Sequence, residues 1–333
     1  MKKFIAGENE NGVRLSRFVE SVTRDMPRSL LYKSFRNKRI KVNGKRGEAD
    51  TRLSSGDVIE LYINDEFFPE KPVVPAKKPP RRQPPVKVIY QDENIAVLYK
   101  PAPLLCHSDR TGDANLVDAF TQYLTQKGEY DPHAEKRFAP ALCNRLDRNT
   151  SGIVAAGKTL QGLQMLSGLF KERTLHKYYL CIVKGVIKEE QDVRGWLLKN
   201  EKTNQVRIFK NETKDARPIH TKYRPLADNG QETLLEIELL TGRTHQIRAH
   251  LSYMGHPIFG DPKYGDAVLN KKLTSGYGLH MQLLHAWHLV FPELSGDFEG
   301  LSGKSIYAPA PKQFVSIAQK RGLGTWEHGI PEV

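Results

Sequence analysis

The stretch CNRLDRNTSG, residues 143–152, surrounds one aspartate, Asp147, with two arginines and ends in small polar residues and a glycine. The apolar run IVAA follows at once and predicts a buried strand. Asp147 is therefore expected in a loop at the edge of a folded core, where a side chain can reach a ligand. The neighbouring guanidinium groups favour the ionised carboxylate, which is the form that a nucleophile or a proton acceptor requires.

The composition predicts a basic globular protein. The chain has 333 residues, of which 39% are hydrophobic, and this is enough to bury a sizeable core. A net charge of +13 attracts polyanions such as nucleic acid or anionic lipid. Nucleic acid is favoured, because no cationic amphipathic helix with a strongly apolar opposite face stands out.

No targeting or membrane-spanning segment is apparent. The start MKKFIAGENENG lacks an apolar run of secretory length, and no later stretch approaches the length of a membrane span. The three cysteines, Cys106, Cys143 and Cys181, are far apart and lack CxxC spacing, which argues against a disulfide framework and a structural zinc site. We therefore expect a cytoplasmic protein without membrane contact.

Proline and basic residues are concentrated in FFPEKPVVPAKKPPRRQPPVK, residues 67–87. Repeated prolines fix an extended backbone, so this segment is expected to be a semi-rigid, positively charged spacer. Strand and helix patterns interleave after it, which predicts a mixed α+β domain. The sequence thus predicts four parts: a small N-terminal domain at 1–66, a linker at 67–85, a large domain at 86–325 and a tail at 326–333.

The N-terminal part is expected to contain two helices and a small sheet. Apolar residues recur at helical spacing from Leu15 to Val22, and a second helix is predicted from Pro27 to about Asn37. The segments IKVNGK and SGDVIELYI have the composition of strands that flank turns.

The same part has a strong excess of positive charge. Between Arg24 and Arg46, beside the single acid Asp25, stand nine basic residues: Arg24, Arg28, Lys33, Arg36, Lys38, Arg39, Lys41, Lys45 and Arg46. This imbalance favours phosphate binding over a merely solvated face. Residues 13–63 resemble the Alpha-L RNA-binding motif, a small domain found in a small-subunit ribosomal protein and in several RNA-modifying enzymes. The resemblance implies RNA contacts, which we assign to Arg28, Arg36 and Arg39.

The octapeptide RLDRNTSG, residues 145–152, is similar to the signature HRLDxxTSG of the RluA family of pseudouridine synthases. HKYYLCIVKG at 176–185 resembles the family's Lys-x-Tyr strand, and TGRTHQIRAHLSYMGHPIFGDPKYG at 241–265 resembles its third motif. LLHAWHLVF is a weaker fourth match, and the resemblance spans about residues 86–292. Asn144 stands where the signature has histidine, and YKPAPLLCHSD replaces a DKPAG-like loop.

The resemblance implies an α+β fold in which a central mixed, largely antiparallel sheet is flanked by helices, with a small N-terminal α/β RNA-binding domain. It implies isomerisation of uridine to pseudouridine in structured RNA, a reaction that detaches uracil from ribose, rotates it and rejoins it through carbon 5. Because no redox step or outside atom is involved, neither a cofactor nor a metal is expected. A basic recognition module favours ribosomal RNA, in particular that of the large subunit, over transfer RNA, and we expect a monomer.

The motif positions imply roles for six side chains. Asp147 would be catalytic, as a nucleophile at the anomeric carbon, as a base at carbon 2 of ribose, or by attack on carbon 6 of uracil. Tyr179 would stack on the flipped base, and Arg248 would orient Asp147 through a charge-assisted, single or bidentate pair. Substrate contacts are expected from three others: Arg145, which would fill the vacated stack or hold the adjacent phosphate, Lys177, and Leu284 beside the target base.

Other interpretations stay open at the level of sequence. A noncatalytic RNA-binding or ribosome-assembly protein could carry the same fold, although the set of Asp147, Tyr179 and Arg248 favours an enzyme. An RNA methyltransferase would need a Gly-rich loop after a strand for its methyl donor, and the sequence shows none. The histidines at 245, 250 and 256, and those at 280, 285 and 288, suggest a metal site but lack HExxH spacing.

Overall fold

The computed structural model describes residues 1–7, 10–23, 26–68, 83–109, 112–132, 138–201, 203–327 and 330–331. The chain divides into two compact units, Met1–Arg82 with Leu124–Ala139 and Thr159–Gln161, and Gln83–Tyr123 with Pro140–Lys158 and Gly162–Val333. Most of the predicted linker at 67–85 lies outside the described residues, as do Arg24, Asp25 and residues 328, 329, 332 and 333 of the predicted tail. The division into four parts therefore stays a prediction.

The N-terminal unit packs two helices onto a small antiparallel sheet. The sheet has the order β1-β4-β2-β3, and a 3-10 turn follows it at Asp65–Phe67. The predicted helices and strands of this part are confirmed, whereas the first strand was not predicted. The elements are β1 (Lys2–Ile5), α1 (Leu15–Val22), α2 (Arg28–Arg36), β2 (Ile40–Val42), β3 (Lys45–Arg46) and β4 (Val58–Leu61).

Spacing of apolar residues explains the core of this unit. Leu15, Phe18 and Val19 lie on one face of α1 and are buried together with Leu31 and Phe35 of α2. Residues three and four apart share a helix face, so each helix presents a continuous apolar stripe to the sheet. The charged residues of both helices are thereby left to the other face.

The turn between β2 and β3 depends on two residues with positive φ. Asn43 has φ 50° and Gly44 has φ 75°, the left-handed conformation that a two-residue hairpin turn requires. The Asn43 side chain donates a hydrogen bond to Asp57 Oδ1 over 2.8 Å and accepts one from the Val58 N–H over 2.8 Å. The turn is thus tied to the start of β4.

The rest of the chain forms a large mixed α+β body. A 3-10 segment covers Gly296–Leu301. Its regular elements are β5 (Lys87–Gln91), β6 (Ile95–Lys100), α3 (Leu116–Gln126), β7 (Ala141–Leu142), β8 (Ser151–Gly157), α4 (Leu160–Glu172), β9 (His176–Lys184), β10 (Gln191–Asn200), β11 (Gln205–Phe209), β12 (Arg217–Asp228), β13 (Glu232–Leu239), α5 (Gln246–Tyr253), α6 (Ala267–Tyr277), β14 (Leu284–Val290), β15 (Ser305–Tyr307), α7 (Lys312–Lys320), β16 (Trp326–Glu327) and β17 (Ile330–Pro331).

One sheet organises this body. Among the described residues it has 11 strands in the order β11-β10-β12-β13-β9-β14-β8-β6-β5, with β15 beside β14 and β7 beside β8. Neighbouring strands are antiparallel except β8 and β14, which run parallel where Ser151 pairs with His285. The predicted α+β class with a mixed, largely antiparallel sheet is confirmed. The helices α4, α6 and α7 and the hairpin of β10 and β11 were not predicted.

Successive side chains of β9 point to opposite faces of the sheet, and one of these faces packs into the core. Leu180 and Ile182 are fully buried in a cluster with Phe314 and Ile317 of α7. Successive residues of a strand point to opposite faces, so Tyr179 belongs to the other face of the sheet. The core therefore fixes the strand from one side and leaves Tyr179 available on the other.

Candidate active site

The loop that carries Asp147 is tied to the strand that follows it. Asn144 Oδ1 accepts a hydrogen bond from the Ala155 N–H over 2.8 Å, and the Asp147 carbonyl accepts one from the Thr150 N–H over 3.0 Å. Asn144, which departs from the family signature, thus anchors the loop to β8. The Asp147 side chain is 27% exposed, so it lies between core and solvent, as the sequence predicted.

Gly152 lets the loop enter the sheet at this point. Its φ is +117°, and a Cβ atom there would lie 2.0 Å from the Ala286 carbonyl oxygen of β14. A side chain at this position would clash with backbone and strain the strand. Ala286 pairs with Gly152 on one side and with Tyr179 on the other, so one row across three strands brings Tyr179 near the Asp147 loop.

Arg248 meets Asp147 from the first turn of α5. Its Nη1 donates a hydrogen bond to Asp147 Oδ2 over 2.8 Å, although the two residues are 101 positions apart in the sequence. The Arg248 side chain is only 7% exposed. The expected charge-assisted pair is therefore present in the structure, as a single hydrogen bond.

The bidentate partner of Arg248 is Asp261, a residue to which the sequence assigned no role. Arg248 Nε donates to Asp261 Oδ2 over 2.7 Å and Nη2 donates to Oδ1 over 2.9 Å. The Asp261 side chain is fully buried, and Oδ1 also accepts the N–H groups of Lys263 and Tyr264. The signal in the sequence was the acid in the segment GDPKYG, within the third motif.

Burial and charge act in opposite directions on this triad. Burial disfavours the charged form of Arg248, but the carboxylates of Asp261 and then Asp147 outweigh it and raise its pKa. Burial likewise opposes the Asp261 carboxylate, but Arg248 and the two N–H groups outweigh it and lower its pKa. Arg248 is therefore a permanent cation, whose orientation is set by Asp261 and whose Nη1 donates to Asp147.

His245 and Tyr264 approach the same carboxylate from another side. His245 Nε2 lies 4.0 Å from Asp147 Oδ2, and its Nδ1 is 3.0 Å from the Tyr264 hydroxyl. The Tyr264 ring also lies beneath the Arg248 guanidinium, with 5.3 Å between guanidinium carbon and ring centroid. Burial lowers the pKa of His245, so the imidazole is neutral near pH 7.

Tyr179 lies in the low-dielectric part of the site. It is 6% exposed, and burial, with smaller effects from Asp147 and Cys106, raises the pKa of its phenol. It is therefore a neutral phenol at all working pH values. Leu284 of β14 pairs with Cys181, two residues along β9 from Tyr179, and is 5% exposed on the same face.

Lys100 and Cys106 make hydrogen bonds with the backbone of the Asp147 loop. Lys100 is completely buried, and its ammonium donates to the carbonyls of Leu104 over 2.7 Å and Arg148 over 3.0 Å. Burial lowers the pKa of Lys100 to about 8, although Cys106 and Asp147 act to raise it. The Leu146 N–H donates to the Cys106 sulfur over 3.3 Å, which fixes the peptide before Asp147.

The other predicted substrate residues lie at the periphery. Arg145 is exposed beside Asp147. Lys177 Nζ lies over the Phe170 ring, 5.6 Å from its centroid, and burial lowers the pKa of Lys177. In the N-terminal unit, Arg28, Arg36 and Arg39 are exposed, and Arg24 is outside the described residues.

Within the described ranges, no group of three or more His, Cys, Asp or Glu side chains is arranged to hold a metal ion. None of the helices in that part of the chain combines the length and the apolar character that crossing a membrane requires.

Comparison with known proteins identifies the family. The profile of the RNA pseudouridylate synthase family matches residues 94–253. The chain is 31% identical over 323 residues to ribosomal large subunit pseudouridine synthase C of Vibrio vulnificus, with 94% of each chain covered. It is 30% identical over 286 residues to the protein of the same name in Escherichia coli, covering 85% of this chain and 86% of that one.

A solved structure agrees in fold. Human RNA Pseudouridylate Synthase Domain Containing 4 superposes with a TM-score of 0.55 at 22% identity, over 72% of this chain and 94% of that one. The chain belongs to the RluA family of RNA pseudouridine synthases, as the motifs predicted, and it is an enzyme of that class.

Proposed function

We propose that this enzyme converts specific uridines of large-subunit ribosomal RNA to pseudouridine, with Asp147 as the group that reacts with the nucleotide. The choice of RNA rests on the relatives, which are named ribosomal large subunit pseudouridine synthases and match most of the chain. The observation that carries the catalytic assignment is the half-buried Asp147 carboxylate, held by Arg248 over 2.8 Å and still 27% exposed to an incoming ligand.

The arrangement of charges suits a carboxylate that must react without losing its position. Arg248 takes one oxygen, Oδ2, and is itself held rigidly by Asp261. Within the described part of the chain, Asp147 Oδ1 has no hydrogen-bond partner. Asp147 can therefore present Oδ1 to the ribose or the uracil, as a nucleophile or as a base.

The target uridine must leave the RNA stack before it can meet Asp147. Extrusion of a base costs unstacking energy, which new contacts in the enzyme offset. We assign Arg145 to the vacated space or the adjacent phosphate, since its side chain is exposed next to the catalytic loop. Lys177 lies further along β9 and is assigned to the phosphate backbone.

Tyr179 and Leu284 form the apolar wall against which the uracil would lie. Aromatic rings stack on extruded bases, and a buried wall excludes water from the detached uracil while it rotates. Because the Tyr179 phenol keeps its proton, it can also donate or relay a proton late in the reaction.

The N-terminal unit would bind the phosphate backbone of the RNA without regard to its base sequence. We propose that it is an Alpha-L domain and that the exposed Arg28, Arg36 and Arg39 contact phosphates. We also propose that the enzyme acts as a monomer in the cytoplasm.

The proposal is tested by mapping pseudouridines in the large-subunit ribosomal RNA and in the transfer RNA of cells that possess or lack this protein. Loss of one or a few ribosomal sites is expected, and they should return with the wild-type gene but not with Asp147→Ala. Release of tritium from carbon 5 of labelled uridine in unmodified ribosomal RNA measures the same reaction in vitro. Loss of sites only in transfer RNA would make the enzyme a synthase for that RNA instead.

A further inference from the structure

We infer that His245 is a positioning residue for Asp147. Held by the Tyr264 hydroxyl, its imidazole presents an Nε2–H to Asp147 Oδ2, so that Oδ2 is restrained from two directions and Oδ1 is the oxygen that reacts. This inference rests on the proposed catalytic role of Asp147. It adds two side chains, His245 and Tyr264, to those that the motifs assign.

The geometry defines a chain of contacts that ends at the carboxylate. The Val206 N–H donates to the Tyr264 hydroxyl oxygen over 2.9 Å, and that hydroxyl lies 3.0 Å from His245 Nδ1. His245 Nε2 is then 4.0 Å from Asp147 Oδ2. The His245 side chain is 9% exposed, so water does not compete freely for its nitrogens.

The tautomer with its proton on Nε2 satisfies both contacts of the imidazole. The Tyr264 oxygen accepts the Val206 N–H and can donate its own proton to His245 Nδ1. A neutral imidazole that accepts at Nδ1 carries its proton at Nε2, the nitrogen that faces Asp147. The lowered pKa of His245, caused first by burial, agrees with a neutral ring.

The backbone of His245 supports a role for its side chain. Its φ of 52° and ψ of 19° place it in the left-handed region, which costs a residue other than Gly some strain, although His adopts it more readily than most. Strain of this kind is found at functional sites, where the surrounding structure holds a side chain in place.

The distance of 4.0 Å between His245 Nε2 and Asp147 Oδ2 is expected to shorten when the substrate binds. It is longer than a hydrogen bond by about 1 Å. Catalytic hydrogen bonds are often long in free enzymes and shorten in the complex with substrate. A ribose that draws Asp147 inward would close this gap and complete the restraint on Oδ2.

Two substitutions separate this role from a structural one. His245→Asn and His245→Gly both suit a left-handed backbone, which offsets part of the packing lost with the buried imidazole, so both variants should fold and melt close to the wild type. Loss of a hydrogen bond to a charged group should nevertheless lower kcat about 10- to 100-fold, with KM for unmodified ribosomal RNA nearly unchanged. His280→Asn, at an exposed histidine outside the site, is the matched control and should keep wild-type kcat.

Tyr264→Phe tests the chain of contacts, because it removes only the hydroxyl and keeps the ring under Arg248. It should lower kcat less than His245→Asn does, and the double variant should be no worse than His245→Asn alone, since the hydroxyl acts through the imidazole. Additive losses, or a His245→Asn enzyme with wild-type kcat, would overturn the inference.

The tautomer can be read without any turnover. Nitrogen NMR of histidine-labelled protein should show His245 with its proton on Nε2 in the wild type and a changed Nδ1 signal in Tyr264→Phe. A proton on Nδ1 in the wild type would reject the inference whatever the activity. Failure of the wild type to release tritium, by contrast, would reject the proposed function and leave the NMR result to decide the role of His245.

Discussion

Two regions of this protein carry charge in opposite ways. Behind Asp147 the charges are few, buried and paired, in Arg248 and Asp261: Arg248 is 7% exposed, Asp261 is fully buried, and each makes two or more hydrogen bonds. On the N-terminal unit the cations are many and exposed, with Arg28, for example, 84% exposed and 3.6 Å from Glu20.

The contrast shows how burial decides what a charge can do. A buried pair interacts strongly and fixes the direction of each group, so it can hold a reacting carboxylate in place. Exposed cations are solvated and screened by salt, so they contribute affinity for a polyanion without fixing its position. The catalytic region should therefore respond to single substitutions sharply, and the N-terminal unit should respond gradually.

The largest expected effect is loss of turnover in Asp147→Ala. We expect kcat to fall at least about 1000-fold, because no other carboxylate occupies that position. Binding of RNA should change little, since the exposed arginines remain. Tritium release and filter binding on the same RNA measure the two quantities, and full activity of this variant would refute the catalytic role of Asp147.

A second prediction compares the two carboxylates of Arg248. Asp261→Ala should lower the free energy of unfolding by about 3–5 kcal/mol, because it leaves a buried guanidinium without its bidentate partner. Asp147→Ala should cost clearly less, since Asp147 is 27% exposed and Arg248 keeps Asp261. Urea unfolding followed by tryptophan fluorescence reports this body, which contains Trp196, Trp287 and Trp326. Equal losses in the two variants would contradict this ranking of the partners.

A fall in pH should lower the stability of the large body more than that of the N-terminal part. Burial lowers the pKa of His250 and of His285 to about 4 each, from a usual value of 6.5. The unfolded chain therefore binds more protons between these values, so stability is present above about pH 6.5 and is lost as the pH falls toward 4, by on the order of 3 kcal/mol for each histidine.

Residues 1–66 contain no histidine, so the stability of the N-terminal part should not depend on pH through this effect. The melting temperature of the large body, monitored by tryptophan fluorescence, should therefore fall from pH 7 to pH 4.5. His285→Gln should show a flatter pH dependence than the wild type, even if its stability at pH 7 is lower. An unchanged slope in that variant would exclude His285 as a source of the effect.

The smallest effect is expected on the exposed arginines. Replacing Arg28, Arg36 and Arg39 together by Gln should weaken RNA binding gradually and reduce the slope of log affinity against log salt by about 0.7 for each phosphate that is no longer neutralised. The same change of charge at the exposed Lys271, Lys272 and Lys312 is the control. Equal slopes for the two triple variants would remove the N-terminal unit from RNA recognition.

Much of the fold could be predicted from the sequence. The apolar run IVAA located β8, because a strand buried on both faces leaves a continuous apolar stretch, and the Lys-x-Tyr motif located β9. Helix α6 was not predicted, since its residues AVLNKKLTSGY bury only Leu273 and show little amphipathic spacing. Helix α7 does bury Phe314, Ile317 and Ala318 at helical spacing, and this signal was present but not used.

The candidate site was likewise predicted only in part from the sequence. Motifs placed Asp147, Tyr179 and Arg248 in it, and the structure brings all three together on one face of the sheet. They did not indicate that Asp261 takes two of the donors of Arg248, or that Tyr264 and His245 lie beside Asp147. Those contacts depend on where α5 and the GDPKYG segment meet, which local spacing does not specify.

The sequence by itself determined the family, the candidate catalytic carboxylate and the positive charge of the N-terminal part, because each follows from residue types and their order along the chain. Only the tertiary structure decided which carboxylate holds Arg248 on two sides and which oxygen of Asp147 accepts a hydrogen bond from it. The physical reason is that a guanidinium donates along fixed directions. Those directions become defined only when packing joins segments 101 residues apart.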